Sequence, residues 1–332
     1  MNRRRLGRGL QDLAAPLFGV PGPARELTLL RNETQEAPPR PVVICVSSGK
    51  GGTGKSVLTS NLAVHLSASG LRVLAVDADL GLANLHLLLG MQPQRTVMEV
   101  IETGATLDEV AETGPVGVRL AAGGSGRPDM ADLHPGRIGR LVAAMDAAGD
   151  SAEVVLVDTG AGIGRATTSF LYAFGEIVIV TTPDLTAMTD GYAVIKNVAH
   201  NNRAARIFVV VNRAASALEG LETFSRIERV SRRFLGRPLS YLGHVLNDAR
   251  VGDSVASRIP ILLNQPAAPA SACLRGVGRS LLLEIERRRA GAATGFGAGP
   301  DAAAGAGAET RTADASSRDA RRPRHHRGPE CA

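Results

Sequence analysis

Eight residues, Gly49-Lys50-Gly51-Gly52-Thr53-Gly54-Lys55-Ser56, constrain this chain more than any other feature. They fit the spacing G-x-x-x-x-G-K-[ST], in which glycines let successive backbone N–H groups turn inward around phosphate oxygens. An apolar run, Val42 to Val46, precedes them, and Val57, Leu58, Leu62, Val64 and Leu66 follow among small and polar residues, as on a helix. Strand, glycine-rich turn and helix together are the context such a loop requires. The helix N-terminus adds the positive end of its dipole. Lys55 is then placed to reach the β- and γ-phosphates of a nucleotide, and Ser56 to hold Mg2+. Of the 38 Lys and Arg residues only three are lysines, Lys50, Lys55 and Lys196, so two of the three sit in this loop. A guanidinium fork does not replace the compact ammonium that fits a phosphate cradle.

The rest of the chain reads as alternating strands and helices. Strands are expected at Arg72–Asp77, Val116–Ala121, Glu153–Asp158, Glu176–Thr181, Ile207–Val211 and Tyr241–Leu246. Helices are expected at Leu82–Gly90, Thr96–Glu102, His134–Ala148, Arg165–Phe174, Leu185–His200, Leu218–Phe234 and Leu274–Arg288. Several strands are continuous β-branched runs, and aromatics are only 3% of the chain, so the core is Val, Leu, Ile and Ala. That pattern predicts an α/β fold, a mostly parallel twisted sheet with helices on both faces. Ligand then belongs at the carboxyl ends of the strands, where the loop, Asp77, Asp79, Asp158 and Pro183 all fall.

Three segments are expected. Residues 1–40 form a basic, mostly disordered arm, 41–289 the folded domain, and 290–332 a Gly/Ala/Arg-rich tail with too few large apolar residues to order itself. The net charge of +6 is concentrated in the two ends, which makes it weak evidence for nucleic acid. Cys45, Cys273 and Cys331 form no C-x-x-C, so neither a zinc or iron–sulfur site nor a disulfide framework is expected; Cys45 reads as a core residue. No apolar run is long enough to span a membrane, and no apolar segment follows the basic start as in a signal peptide. A cytoplasmic protein is expected, with peripheral attachment at the inner face of the membrane as the alternative.

Several motifs occur in one order. Lys50-Gly51-Gly52-Thr53-Gly54-Lys55-Ser56 resembles the deviant Walker A loop, K-G-G-x-G-K-[ST], of the MinD/ParA ATPases. Val76-Asp77-Ala78-Asp79-Leu80-Gly81-Leu82-Ala83-Asn84-Leu85 resembles that family's first switch, and Val155 to Ile163 its Walker B strand and second switch. Thr181-Thr182-Pro183-Asp184-Leu185-Thr186-Ala187, Val210-Val211-Asn212-Arg213 and Pro269-Ala270-Ser271 also match. The form D-T-G-A-G-I at Asp158 is most like the FlhG (YlxH/FleN) branch, regulators of flagellar number; MinD proper favours D-S-P-A-G and ParA D-C-P-P. His86 departs from the branch, which has Asp there, so altered partner contacts or no effect are expected.

The resemblance covers roughly residues 41–288 and implies an ATP-dependent switch. In it ATP and Mg2+ are the cofactors. Gly49, Lys50, Gly51, Gly52, Thr53, Gly54, Lys55, Ser56 and Val57 would surround the nucleotide, and Asn212 would contact adenine. Ser56, Asp158 and Asp79 would lie at Mg2+, partly through water. Asp79 would orient the attacking water, with Lys50 and Lys55 neutralising phosphate charge. Lys50 would reach across to the nucleotide of a second copy, which implies an ATP-dependent homodimer with slow, partner-stimulated hydrolysis. An FlhF-type GTPase or a flagellar basal-body protein is the implied partner. Arg5-Leu6-Gly7-Arg8-Gly9-Leu10 is similar to the start of ParB proteins, and suggests a partner-directed activator peptide. The segment Leu274–Arg288 reads as a final core helix rather than a membrane anchor, so membrane binding is expected to be weak or absent. A ParA-like DNA-partitioning ATPase is the second reading, with DNA binding not favoured, and a metabolic P-loop enzyme the third.

Overall fold

The computed structural model describes residues 40–124 and 135–293. The expected arm up to residue 39, the tail from residue 294, Cys331 and His134 lie outside the described residues. Eight strands are present: β1 (Val42–Ser48), β2 (Val73–Ala78), β3 (Glu112–Thr113), β4 (Arg119–Ala121), β5 (Val154–Ala161), β6 (Glu176–Thr181), β7 (Arg206–Ala214) and β8 (Ser240–Leu246). They form one sheet in the order β3-β4-β2-β5-β1-β6-β7-β8. Every pairing is parallel except that of β3 with β4. The sheet is therefore mostly parallel, as its unbroken apolar strands predict.

β1 is buried along its whole length between β5 and β6. Its side chains alternate between the two faces. Val43 and Cys45 join one core, and Val42, Ile44 and Val46 the other. The first core packs beneath α3 (Val97–Thr103), α5 (Pro135–Asp146), α6 (Arg165–Ala173), α7 (Leu185–Asn201) and α8 (Ala217–Leu235), with the short α4 (Leu107–Val110) at its margin. The second packs beneath α1 (Lys55–Ala68), α2 (Leu85–Leu88), α9 (Ala249–Ala256), α10 (Ile261–Asn264) and α11 (Pro269–Ala293). Cys45 is a core residue as expected, and burial pushes its thiol far above the ordinary range.

Leu274, Val277, Leu281 and Ile285 of α11 are fully buried against α1 and β8, so this is a core helix. Each such side chain contributes roughly 1.5–3 kcal/mol by leaving water. The helix begins at Pro269 rather than Leu274. Proline suits a first turn, and Asp248 Oδ2 accepts from the Ala270 N–H at 3.3 Å.

Two expected elements are shorter in the structure. Of Val116–Ala121 only Arg119–Ala121 is a strand; Pro115–Gly117 forms a tight helical turn with Val116 at φ 56°. Of Leu82–Gly90 only Leu85–Leu88 is helical. The reason is chemical: Asp77 Oδ2 accepts from Leu85 N (2.9 Å), the first N–H that a helix begun at Leu82 would bond internally, and Asp79 Oδ1 accepts from Leu82 N (3.2 Å), so the turn before Leu85 is held by carboxylates and not by helical bonds.

Candidate functional site

The glycine-rich loop joins β1 to α1 at the carboxyl edge of the sheet, and its tight path has local causes. Gly54 lies in the left-handed region at φ 90°, and a Cβ there would sit 2.2 Å from Asn212 Nδ2. Gly49 is pressed against α7, where a Cβ would come within 2.1 Å of the Asp190 backbone. At Gly51 and Gly52, by contrast, an added Cβ would meet no atom within 4 Å. The loop is thus clamped at both ends and open along its rim.

Strand register brings the acids beneath the loop. Asp158 of β5 pairs with Val46 of β1 on one side and with Asp77 of β2 on the other. Lys55, at the start of α1 and buried, places Nζ 2.9 Å from Asp158 Oδ1. Ser56 Oγ is 3.5 Å from the same ammonium. Thr59 Oγ1 donates to Asp158 Oδ1 at 3.2 Å and lies 3.0 Å from the Lys55 carbonyl, two acceptors for one hydroxyl proton. Burial pushes the Asp158 carboxyl above its usual range, with Lys55 pulling it back. Burial and the charge of Asp158 push Asp77 up to about 7, against the pull of the Leu85 and Asp79 N–H groups. Two buried carboxylates face one ammonium, so the pocket floor favours added positive charge.

This donor set fits a nucleotide-borne Mg2+. Among the described residues no group of three or more His, Cys, Asp or Glu could hold a metal ion alone. Magnesium carried on phosphates needs only one or two protein oxygens. Ser56 Oγ and Asp158 supply those beside Lys55, and the buried Thr53 hydroxyl in the loop has no partner within the described residues.

Asp79 stands above this floor, half-buried, with Oδ1 3.8 Å from where a Cβ on Gly160 would lie. Gly162, at φ 79°, donates its N–H to the Ser48 carbonyl at 2.8 Å, which ties the segment after β5 to the end of β1. Asn212 follows β7. Its Nδ2 donates to the Thr53 carbonyl at 2.7 Å and its Oδ1 accepts from Arg213 N at 2.9 Å. It is therefore the brace of the loop at the place expected for a base contact.

Lys50 takes no part in the Lys55 cluster. Its Nζ donates to Thr186 Oγ1, on the first turn of α7, at 2.7 Å in an exposed position. Three large apolar side chains from the segments around it are also exposed: Leu82 (74%), Ile163 (58%) and Leu185 (76%). The structure thus brings Lys55, Ser56, Asp158 and Asp77 together, sets Asp79 and Asn212 at the margins, and turns Lys50 outward. Sequence reasoning missed Thr59. Its signal was the spacing Lys55/Thr59, one helical turn on the same face of α1.

Residues 44–261 match the family described as the CobQ/CobB/MinD/ParA nucleotide binding domain. The chain belongs to this family. Within it, the chain is 38% identical over 239 residues to the antiactivator FleN of Pseudomonas aeruginosa, covering 72% of this chain and 85% of that protein. It is 35% identical over 216 residues to the flagellum site-determining protein YlxH of Helicobacter pylori, covering 65% of this chain and 73% of that one. Its fold is similar to that of the septum site-determining protein MinD from Pyrococcus horikoshii, solved with Mg-ADP (TM-score 0.63, 23% identity, 74% of this chain and 98% of that one). The MinD/ParA membership accounts for the order of the motifs along the carboxyl edge.

Proposed function

We propose that the chain is an ATPase whose nucleotide state switches it between a monomer and a homodimer, and that it regulates flagellar number or placement. The observation that carries the reading is the division of labour in the loop, with Lys55 buried on Asp158 and the half-buried Lys50 reaching away from it to an exposed hydrogen bond with Thr186. The names of its FleN and YlxH relatives support the flagellar setting. ATP with Mg2+ supplies the phosphoryl group that is transferred to water. The chain's residues position and neutralise: Lys55 exchanges its Asp158 contact for phosphate oxygens, which frees Asp158, with Ser56, to face the metal. Asp79 holds the attacking water in line, a task of positioning and electrostatics rather than covalent chemistry. Lys50 leaves Thr186 to meet the phosphates of the second copy. Asn212 keeps the loop in shape and offers its amide edge to adenine.

In this reading residues 41–289 are the ATPase domain, and the basic arm is directed at a partner such as an FlhF-type GTPase. No helix among the described residues is long and apolar enough to cross a membrane. The test is Asp79→Ala with ATP and Mg2+. We expect nucleotide binding to persist, turnover to stop and the dimer to accumulate on size-exclusion chromatography. An ATP-loaded variant that elutes only as monomer would contradict the switch.

A further inference from the structure

A second feature lies outside the nucleotide cradle. A cavity of about 640 Å3 opens between α2, the start of α3 and the turn after α9, and a hollow of about 370 Å3 adjoins it. The two share Met91, Gln92 and Arg258, so they form one continuous groove. Among the described residues no Asp or Glu lines either part. The larger part offers the Arg258 guanidinium, the His86 imidazole and the amides of Gln92 and Gln94; the smaller part offers Ile259 and Leu263, which are exposed by 44% and 42%.

Arg258 is the unusual residue. Its backbone is in the left-handed region at φ 56°, a conformation that costs energy in any residue with a Cβ. The turn is held tightly, since a Cβ on Gly90 would lie 2.7 Å from the Arg258 carbonyl oxygen. Glycine or asparagine would fill such a position with less strain. Yet the chain keeps an exposed arginine, which is in none of the ion pairs among the described residues. Beside it, His86 Nδ1 is buried without a hydrogen-bond partner. Burial, and then the Arg258 charge, hold this imidazole below its usual range, so Arg258 carries the positive charge of the groove and His86 serves as a neutral hydrogen-bonding group.

We propose that this groove is a docking site for an acidic segment of a protein partner, with a carboxylate on Arg258 and an apolar side chain against Ile259 and Leu263. Charge complementarity selects a carboxylate, and the length and mixed lining of the groove select a peptide over a small anion. The groove backs onto the segment that carries Asp79. A Cβ on Gly123, at its floor, would lie 2.6 Å from Ala83 Cβ and 2.9 Å from the Asp77 carbonyl.

The experiment is selection of a random heptapeptide phage library on the full chain, followed by fluorescence anisotropy of the enriched peptides. Arg258→Gly is the main variant because it removes the charge and relieves the positive φ, so thermal stability should hold or rise. Arg258→Glu is the second variant. Enriched peptides are expected to carry Asp or Glu beside a large apolar residue. They should bind about tenfold or more weakly to Arg258→Gly, and more weakly again to Arg258→Glu, as loss of a charged hydrogen bond predicts. Failure to enrich any sequence, enrichment of sequences without acid, or equal affinity for wild type and Arg258→Gly would each overturn the proposal.

Discussion

The two halves of the loop differ more than their five-residue spacing suggests. The inner half, Thr53 to Ser56, is clamped: Asn212 braces the Thr53 carbonyl, Gly54 fits under that amide, and Lys55 is buried on Asp158. The outer half, Lys50 to Gly52, is held among the described residues only by the Ser48 hydroxyl on the Lys50 carbonyl at 2.9 Å and by the exposed contact of Lys50 Nζ to Thr186, and Gly51 and Gly52 have open space beside them. The same residue type therefore does two jobs. A buried lysine neutralises a carboxylate that would otherwise be costly to keep in the core, and stability depends on it. A half-buried lysine whose ammonium makes one exposed hydrogen bond contributes less to the fold, and in the proposed function that ammonium is the one that meets a second copy.

The largest expected effect is at the buried pair. Lys55→Ala leaves Asp158 uncompensated beside Asp77 and should cost about 3–5 kcal/mol in urea unfolding. The sign with pH is set by the upward shift of Asp158. Without the ammonium the carboxyl rises further, so the loss should shrink as pH falls and Asp158 takes up a proton. A loss equal at pH 5 and pH 8 would break the account of the inner half.

The glycines give the next contrast. Gly54→Ala combines a positive φ with a contact of 2.2 Å, and should cost about 1–3 kcal/mol. Gly51→Ala has no neighbour within 4 Å and should leave the urea midpoint nearly unchanged. Equal costs would remove the distinction between clamped and open halves.

A smaller effect is expected at the other end of β5. Glu153 is held below its usual range first by the Arg72 backbone N–H, and Arg289 adds an ion pair at 2.7 Å. A lowered carboxyl contributes stability above its unfolded value, near 4.5, and loses it as pH falls through the folded value. Glu153→Gln should therefore flatten the stability curve only in the acid range. The residue just before β5 is thus an acid shifted down and Asp158 within it an acid shifted up, and thermal melts from pH 3 to pH 8 would separate them.

Much of this was legible in the sequence because it follows from residue order. The strand–loop–helix unit, the parallel sheet and the burial of α11 follow from apolar periodicity and the Walker spacing. The shared carboxyl edge of Lys55, Asp158 and Asp77 follows from the strand ends. What was not legible depends on tertiary contact. Capture of the Leu85 N–H by Asp77 delayed the start of an expected helix to Leu85. Pro115 and Gly117 shortened an expected strand. The brace from Asn212 to Thr53 crosses 159 residues of sequence, a contact that no local pattern encodes. Nor does the sequence show that Arg258 sits at positive φ over a groove that no Asp or Glu among the described residues lines.

The central claim is that Lys50 acts on a second copy while Lys55 serves its own. Light scattering of wild type and Lys50→Ala with ATP and Mg2+, beside a nucleotide-affinity measurement on the same samples, tests it most directly. The account predicts a dimer for wild type and a monomer for Lys50→Ala, with the variant's fold intact and ATP still bound. A Lys50→Ala protein that dimerises with ATP as well as wild type would contradict it.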